Sequence, residues 1–566
     1  MNDATPYSVF RTSQSQVVAR VKGIAVIGCC YCLQWGLVGE PGRGTWRPDG
    51  NLAKNLPGTD FRYFSRPSPP PVSSKLGQNA PTVTIIRPVK GLEPGLYECI
   101  ASTFRQDYPA EKTSIRLCVE DETDPAYPVL QKLVQDFPAS DVQILVESQD
   151  PVLHGSRGRP DNVGPNPKVR NISRAYREAK GEIVWIIDCN VWVARGVLGR
   201  MVDKLMGYAA PGSFAKPYKF VHQMPLVVDT VDYTLPETDD SLALLPSASE
   251  AQAVPAVPKT PCGDIITRIS RHGGGRLDEM FFATTHVKFY GAINSVGIAP
   301  CIVGKSNMFR KVHLDQVTRA SSNPILPQGE NKPTGVDYFS HNICEDHLIG
   351  DLLWRSHIPG HLNHGIVWGD LVIQPMAGMS VVAYAARRCR WLRARKFTVL
   401  AATLVEPGVE SFLCCVYLAF ALTTLPWFHH YLSIPQTWGS MCAIWLLAVV
   451  AWMFLDWRTF KLLHSGVSVQ VDRDSPPFAR GTANMAGMSR RKFSEWFLAW
   501  LGREALALPV WTWAVLCGTT INWRGKTFQV NMDTSVVELE DGQEPRKPLR
   551  TPELERARQS SKDRSD

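Results

Sequence analysis

From Pro81 onward the chain alternates short apolar runs with longer stretches of helical character. The runs 82–86, 115–119, 142–146 and 182–187 are dominated by β-branched and other apolar residues instead of alternating with polar ones. Strands of that kind are covered on both faces. Separated by helix-length segments, they predict an α/β domain on a mostly parallel sheet, running over residues 81–396.

The pattern breaks elsewhere. Residues 23–38 form an apolar run preceded by Arg20 and Lys22, shorter than the ~20 residues of a full span, and predict a marginal N-terminal membrane anchor over 17–38. Residues 39–80, rich in Gly, Pro and charge, read as a linker. Residues 229–275 replace periodicity with Ser, Pro, Ala and acids, a composition that cannot bury a core, and are expected to be a disordered insertion. Hydrophobic segments at 409–427 and 437–455, with a weaker one at 505–521 entered by Arg503 and Glu504, make 397–530 a membrane region of two or three segments. Residues 531–566 read as a charged, disordered tail.

Charge sharpens this picture. The formal net charge is +8, with basic residues clustered beside the C-terminal apolar segments. That placement suits an anionic membrane surface and not nucleic acid, which calls for a basic face across a folded domain. Arg387, Arg388, Arg390, Arg393, Arg395 and Lys396 precede the first strong segment, the loop 428–436 has no Lys or Arg, and the chain is basic again after Leu455. The positive-inside bias then puts the α/β domain in the cytosol. The fourteen cysteines are scattered, with no paired CxxC, so neither a zinc site nor a disulfide framework is expected and most are small apolar fillers.

Four groups of residues could carry chemistry. Glu120-Asp121-Glu122-Thr123-Asp124-Pro125 follows the run 115–119, at the strand end where open parallel sheets bind ligands, though an acidic turn has the same look. Asp188 ends the run 182–187; a carboxylate there needs a compensating metal, amide or base, or else it serves as a helix cap. Glu345 and Asp346 open a helix whose apolar face is Leu348, Ile349, Leu352 and Leu353; acids in a first turn also favour the helix dipole. Arg387-Arg388-Cys389-Arg390-Trp391 is an R-x-x-R-W ahead of the membrane segments, and part of its role is positive-inside charge.

Taken in order, these groups resemble the D, D, D, (Q/R)xxRW series of the membrane-embedded inverting glycosyltransferases. That family includes cellulose, chitin and hyaluronan synthases and the ceramide glucosyltransferases. Further stretches are similar to the last of these: Arg87-Pro88-Val89-Lys90-Gly91, Asn166-Pro167-Lys168-Val169-Arg170-Asn171, Phe282-Ala283-Thr284-Thr285-His286, Val303-Gly304-Lys305-Ser306-Asn307 and Ile521-Asn522-Trp523-Arg524. The likeness covers roughly residues 80–228 and 280–530. Two departures stand out: the 229–275 insertion, and Asp188-Cys189-Asn190, which has one carboxylate where a D-x-D has two.

The resemblance implies a GT-A-type nucleotide-sugar-binding domain with an N-terminal anchor and C-terminal transmembrane helices. It implies transfer of glucose from UDP-glucose to the primary hydroxyl of ceramide, with inversion, at a Golgi or endoplasmic reticulum bilayer. By the same likeness Asp124, helped by Asp121, lies at the nucleotide, and Asp188 organises a divalent metal (Mg²⁺ or Mn²⁺) and the diphosphate. Lys90, Lys168 and Arg390 are cations near the leaving group, Asp346 is the general base, and Arg387, Arg390 and Trp391 form the RxxRW motif. The rivals are a processive polysaccharide synthase, which commonly has Gln where Arg387 stands, and an inactive membrane scaffold.

Overall fold

The seven strands of the central sheet are β1 (Val83–Pro88), β2 (Thr113–Val119), β3 (Asp141–Val146), β4 (Ile183–Ile187), β5 (Tyr218–Asp229), β6 (Ser306–Arg310) and β7 (Leu362–Met376), in the order β3-β2-β1-β4-β6-β5-β7. The computed structural model of the 566-residue chain describes residues 60–154, 163–209, 215–231, 270–297, 299–327, 332–482, 489–523 and 525–539. The pairs β1–β2, β2–β3, β1–β4 and β5–β7 are parallel, whereas β6 runs antiparallel to both β4 and β5. The sheet is therefore mixed α/β, and the apolar runs of the sequence are its strands β1, β2 and β4, inside the sheet, and β3 at its edge. All five residues of β4 are buried. Trp185 in its middle satisfies its one polar atom by donating from the indole to Ser306 Oγ at 2.9 Å. Truncating such a side chain costs about 3–5 kcal/mol.

Because β1, β2 and β4 are parallel, their carboxyl ends lie on one edge of the sheet. The antiparallel β6 starts at that same edge. Helices α1 (Leu96–Phe104), α2 (Tyr127–Asp136), α3 (Pro167–Arg177) and α4 (Val197–Met206) pack against the sheet. After β5 the chain re-enters as α5 (Gly274–Phe281), a π-helical turn (Phe282–His286) and α6 (Val287–Val296). Then α7 (Lys311–Val317) and α8 (Glu345–Arg355) follow β6. Ile349, Leu352 and Leu353 of α8 pack with Ile186, Phe220 and Phe309 of the sheet, and that fixes where the acidic first turn of α8 stands.

Several sequence-based boundaries need correction. The expected anchor at 17–38 lies outside the described residues. The linker 39–80 is tied down from residue 60 on: Phe64 is buried, and the main-chain N–H groups of Val72 and Ser73 donate to Asp203 at 2.6 and 2.7 Å. A Pro-rich segment poor in apolar periodicity is held here by backbone hydrogen bonds, which a hydropathy pattern does not register. The insertion 229–275 is shorter at both ends. Asp229 is the buried last residue of β5, and Gly274 and Gly275 are buried in α5; residues 232–269 lie outside the described set. The tail does not begin at 531, since β10 (Val536–Leu539) pairs with β9 (Lys526–Val530), and β9 with β8 (Thr520–Trp523); residues beyond 539 are outside the description.

The basic stretch ahead of the hydrophobic segments forms α9 (Val381–Arg395), and the segments themselves fall in α10 (Ser411–Thr424), α11 (Pro426–Leu432), α12 (Trp438–Ser465) and α13 (Phe493–Leu516). Among the described residues α12 alone is long and apolar enough to cross a membrane by itself; α10 and α11 qualify only together, bent by 67°. The bend follows from Pro426, which forces Leu425 into an extended conformation and removes a helical N–H. The expected third segment at 505–521 is the second half of a longer helix that starts at Phe493, and Ile521 belongs to β8 instead. Cys99, Cys118, Cys189, Cys389, Cys414 and Cys415 are buried.

Candidate active site

The carboxyl edge of the sheet opens on a cleft of about 490 Å³. Lys90, Lys168, Lys305, Arg387, Arg388, Arg390 and Arg395 line it against Glu93, Asp188, Glu345 and Asp346, an excess of positive charge.

Its floor is built around Asn166. This residue N-caps α3, its side-chain oxygen accepting from the N–H groups of Lys168 (2.8 Å) and Val169 (3.1 Å), with Pro167 at the first helical position. Its amide nitrogen donates to Asn342 O at 2.5 Å and Glu345 Oε2 at 3.1 Å, so the start of α3 is tied to the start of α8. Lys168 Nζ consequently lies 3.0 Å from Asp188 Oδ1 and 3.3 Å from Glu345 Oε1. Lys305, in the turn that opens β6, stands 3.1 Å from Asp188 Oδ2 and 3.2 Å from Asn190 Oδ1. Beneath them the fully buried Arg87 guanidinium donates to the carbonyls of Asp188 (2.5 Å), Val191 (3.1 Å) and Cys99 (2.6 Å), which pins the loop that carries Asp188.

These contacts set the charges. Burial opposes ionisation of Asp188, yet Lys168 and Lys305 outweigh it and hold the carboxyl well below its usual range. Burial also opposes the charge on Lys168, but Asp188, Glu345 and Asp346 keep it firmly protonated. Asp346 and Glu345 go the other way: burial lifts both carboxyls above the ordinary range, with Lys168 pulling back. On the opposite wall His286 is pushed down to about 3 by burial and by Arg388 and Arg395, so the ring is neutral. Trp391 stands edge-on to Phe282 at 5.8 Å, with the Arg387 guanidinium 4.5 Å from its ring centroid and 3.4 Å from the buried Asp278.

Of the residues expected from sequence, Lys90, Lys168, Asp188, Asp346, Arg387, Arg390 and Trp391 meet in this one cleft. Asp121 and Asp124 do not line it. Asp121 holds its own turn, accepting from Thr123 N and Ser148 Oγ at 2.9 and 3.0 Å. Asp124 is buried and accepts from the N–H groups of Gly91 and Ala126, both at 2.9 Å, so it shapes the Lys90-Gly91 loop from behind. Arg87, Asn166, Lys305, Ile521 and Trp523 stand in the sequence only within stretches of family likeness and received no role there; Ile521 and Trp523 reach the cleft only once β8 docks.

The residues present do not fit a resident Mg²⁺ or Mn²⁺ at Asp188. A hard dication wants several oxygen ligands. Here one carboxylate is offered, each of its oxygens bonded to an ammonium, and the Asn190 oxygen is taken by Lys305. Among the described residues there is no group of three His, Cys, Asp or Glu able to hold a cation.

The profile of Glycosyl transferase family 21 matches residues 65–230 and 264–536. The chain belongs to glycosyl transferase family 21. Its relatives include a ceramide glucosyltransferase of Gibberella zeae, 56% identical over 507 residues that make up 89% of this chain and 94% of that one. Another, from Pyricularia oryzae, is 56% identical over 85% of this chain and 90% of its own length. A third, from Candida albicans, is 32% identical over 81% and 88%. The family 21 match starts inside the segment read as a linker and runs to β10, in step with the packing of residues 60–80 and 520–539. Its break between residues 230 and 264 falls within the shortened insertion.

Proposed function

We propose that the chain is a ceramide glucosyltransferase: it moves glucose from UDP-glucose to the primary hydroxyl of ceramide with inversion, releasing UDP and glucosylceramide, on a catalytic domain of GT-A type. The observation that carries the reading is the cleft floor, where Asp346, a half-buried carboxyl of raised proton affinity, adjoins the ammonium group of Lys168. The name of the 56% identical relatives, ceramide glucosyltransferase, supports ceramide as acceptor and glucose as the sugar.

In this reading Asp346 takes the proton from the ceramide hydroxyl as that oxygen attacks the anomeric carbon. The bond from that carbon to the diphosphate oxygen breaks on the opposite face, the electron pair leaves with UDP, and the product is a β-glucoside. A positioned base contributes ~10²–10⁴ in rate. Fixed positive charge from Lys90, Lys168 and Arg390, in place before the reaction, stabilises the departing diphosphate. Asp124 acts at the nucleotide end by fixing the Lys90-Gly91 loop, with Asp121 on the same turn.

A soluble donor and a bilayer-bound acceptor have to meet at an interface. Helix α12 offers a lipid-facing surface, with Leu447 71% and Trp438 80% exposed, and the basic α9 precedes the apolar helices α10 to α12 in the chain. The reading therefore includes a Golgi or endoplasmic reticulum membrane with the catalytic domain on the cytosolic side. The test is incubation of membranes containing the chain with labelled UDP-glucose and ceramide. A single-sugar lipid is expected; a polymer, or no labelled lipid, would overturn the assignment.

A further inference from the structure

Asp188 and Lys305 are joined twice. The main-chain N–H of Asp188 donates to Lys305 O at 3.1 Å, continuing the antiparallel β4–β6 ladder past Ile187 and Ser306, and the Lys305 ammonium returns to Asp188 Oδ2 at 3.1 Å. The backbone thus dictates where Lys305 stands. Its side chain is almost fully covered, at 9% exposure, yet lines the cleft.

The charge count around it is uneven. Asp188 is shared with Lys168, which has Glu345 as a second carboxylate; among the described residues Lys305 has only the shared Asp188 and the neutral amide of Asn190. An ammonium carries three N–H donors, and Asp188 and Asn190 take two of them. A covered cation whose charge is only half matched is costly, and an anionic oxygen arriving from the cleft relieves that cost.

We propose that Lys305 is a donor-site residue: together with Lys168 it receives the diphosphate of the nucleotide sugar, so that two ammonium groups on one carboxylate supply the positive charge a divalent cation would otherwise bring to Asp188. The inference rests on the reading of this cleft as a nucleoside-diphosphate-sugar site. It extends that reading to a residue outside the motif series, and it makes donor binding independent of added metal. No bond is made or broken at Lys305; its role is binding and charge.

The test uses the full-length chain in detergent and measures UDP affinity calorimetrically in EDTA and in Mn²⁺, for the parent, Lys305→Met and Lys305→Arg. The parent should bind UDP in EDTA. Lys305→Met should weaken UDP binding about 10–100-fold in EDTA, the scale of a hydrogen bond to a charged group. It should also leave the KM for ceramide unchanged. Mn²⁺ should restore part of the loss, because the substitution frees one Asp188 oxygen for a cation; a merely structural role for Lys305 would give no such rescue. Lys305→Arg keeps the charge and should retain most of the affinity, which separates loss of charge from loss of fold. The proposal is overturned if Lys305→Met binds UDP like the parent in EDTA, if Lys305→Arg loses as much as Lys305→Met, or if the parent binds UDP only with Mn²⁺. A parent that binds no UDP under either condition sinks the nucleotide-sugar reading itself, and this inference with it.

Discussion

Gly304 lies directly against Asp346: a Cβ on Gly304 would come 2.7 Å from Asp346 Oδ2 and 3.2 Å from Lys168 Nζ. The turn before β6 therefore leaves room for the carboxylate, and its ordinary backbone conformation can accept alanine without strain at φ. Gly304→Ala should push the Asp346 carboxylate aside and cost about 10² in kcat, the usual scale for a ~1 Å misplacement. Thermal stability should hardly change. Parental turnover in a folded Gly304→Ala variant would mean that Asp346 does not act from this position.

Asp346→Asn keeps the shape of the side chain and removes the proton acceptor, so turnover should fall by ~10²–10⁴ while UDP affinity changes little. Glu345→Gln should behave differently. Glu345 is bonded to Lys168 and Asn166, so losing its charge unbalances the donor-side cation and should raise the KM for UDP-glucose more than it lowers kcat. Steady-state kinetics of both variants separates the roles, and equal loss of kcat in the two would refute the division.

The pH dependence follows from burial. Asp346 must be ionised to act, and its carboxyl is raised from the ordinary 3.8, so the acid limb of kcat should lie above that value. Lys168 pulls the carboxyl down, so Lys168→Met should move the limb further up. Linkage gives the stability sign: a carboxyl whose folded pKa exceeds its unfolded one stabilises the fold below the unfolded pKa and loses that contribution as pH rises through the folded pKa. At pH 7 the ionised Asp346 is therefore a burden, and Asp346→Asn should melt no lower than the parent. Scanning kcat against pH, with melting curves at pH 7, checks both statements.

Lys288 and Asp456 form a buried pair at 2.5 Å that joins α6 to α12, with the Trp500 indole donating to the other Asp456 oxygen at 2.9 Å. Lys288→Met leaves a buried carboxylate with one neutral partner and should destabilise by about 3–5 kcal/mol. Lys288→Met combined with Asp456→Leu should recover much of that loss. Thermal unfolding in detergent measures both, and a single variant as stable as the parent would remove the pair from the account of how α12 is held.

The insertion should be dispensable for turnover. The residues that flank it are already close, since Arg276 Nη2 donates to Val231 O at 2.9 Å, so a short linker can bridge them. Replacing residues 232–263 with a brief Gly/Ser segment should leave kcat within a few-fold, because closure entropy depends only weakly on loop length. Loss of activity in a folded deletion variant would place part of the site in that segment.

The strands were legible because β1, β2 and β4 are covered on both faces and so appear as runs dominated by apolar residues. Asp188 and Asp346 were legible because each follows or opens such an element. The Gly-rich start of α5 was not: composition marks Gly273-Gly274-Gly275 as loop, whereas packing selects small residues there. A Cβ on Gly274 would meet Ser380 O at 2.1 Å, and one on Gly275 would come 2.9 Å from the Asp229 carboxyl carbon. The role of Lys305 was hidden for another reason. Its partner Asp188 is 117 residues away along the chain, and nothing local announces that β6 runs antiparallel beside β4.

Asn166 gives the site a property that no single distance expresses. Capping α3 and gripping Glu345 at once, it ties the helix of Lys168 to the helix of Asp346, the base in the proposed reaction. Their alignment entropy is settled once, when the chain folds, and each turnover starts from groups already in register. A substitution that loosened Asn166 would therefore act through disorder: the residues would all be present, but the fraction of time in which cation and base stand correctly together would fall.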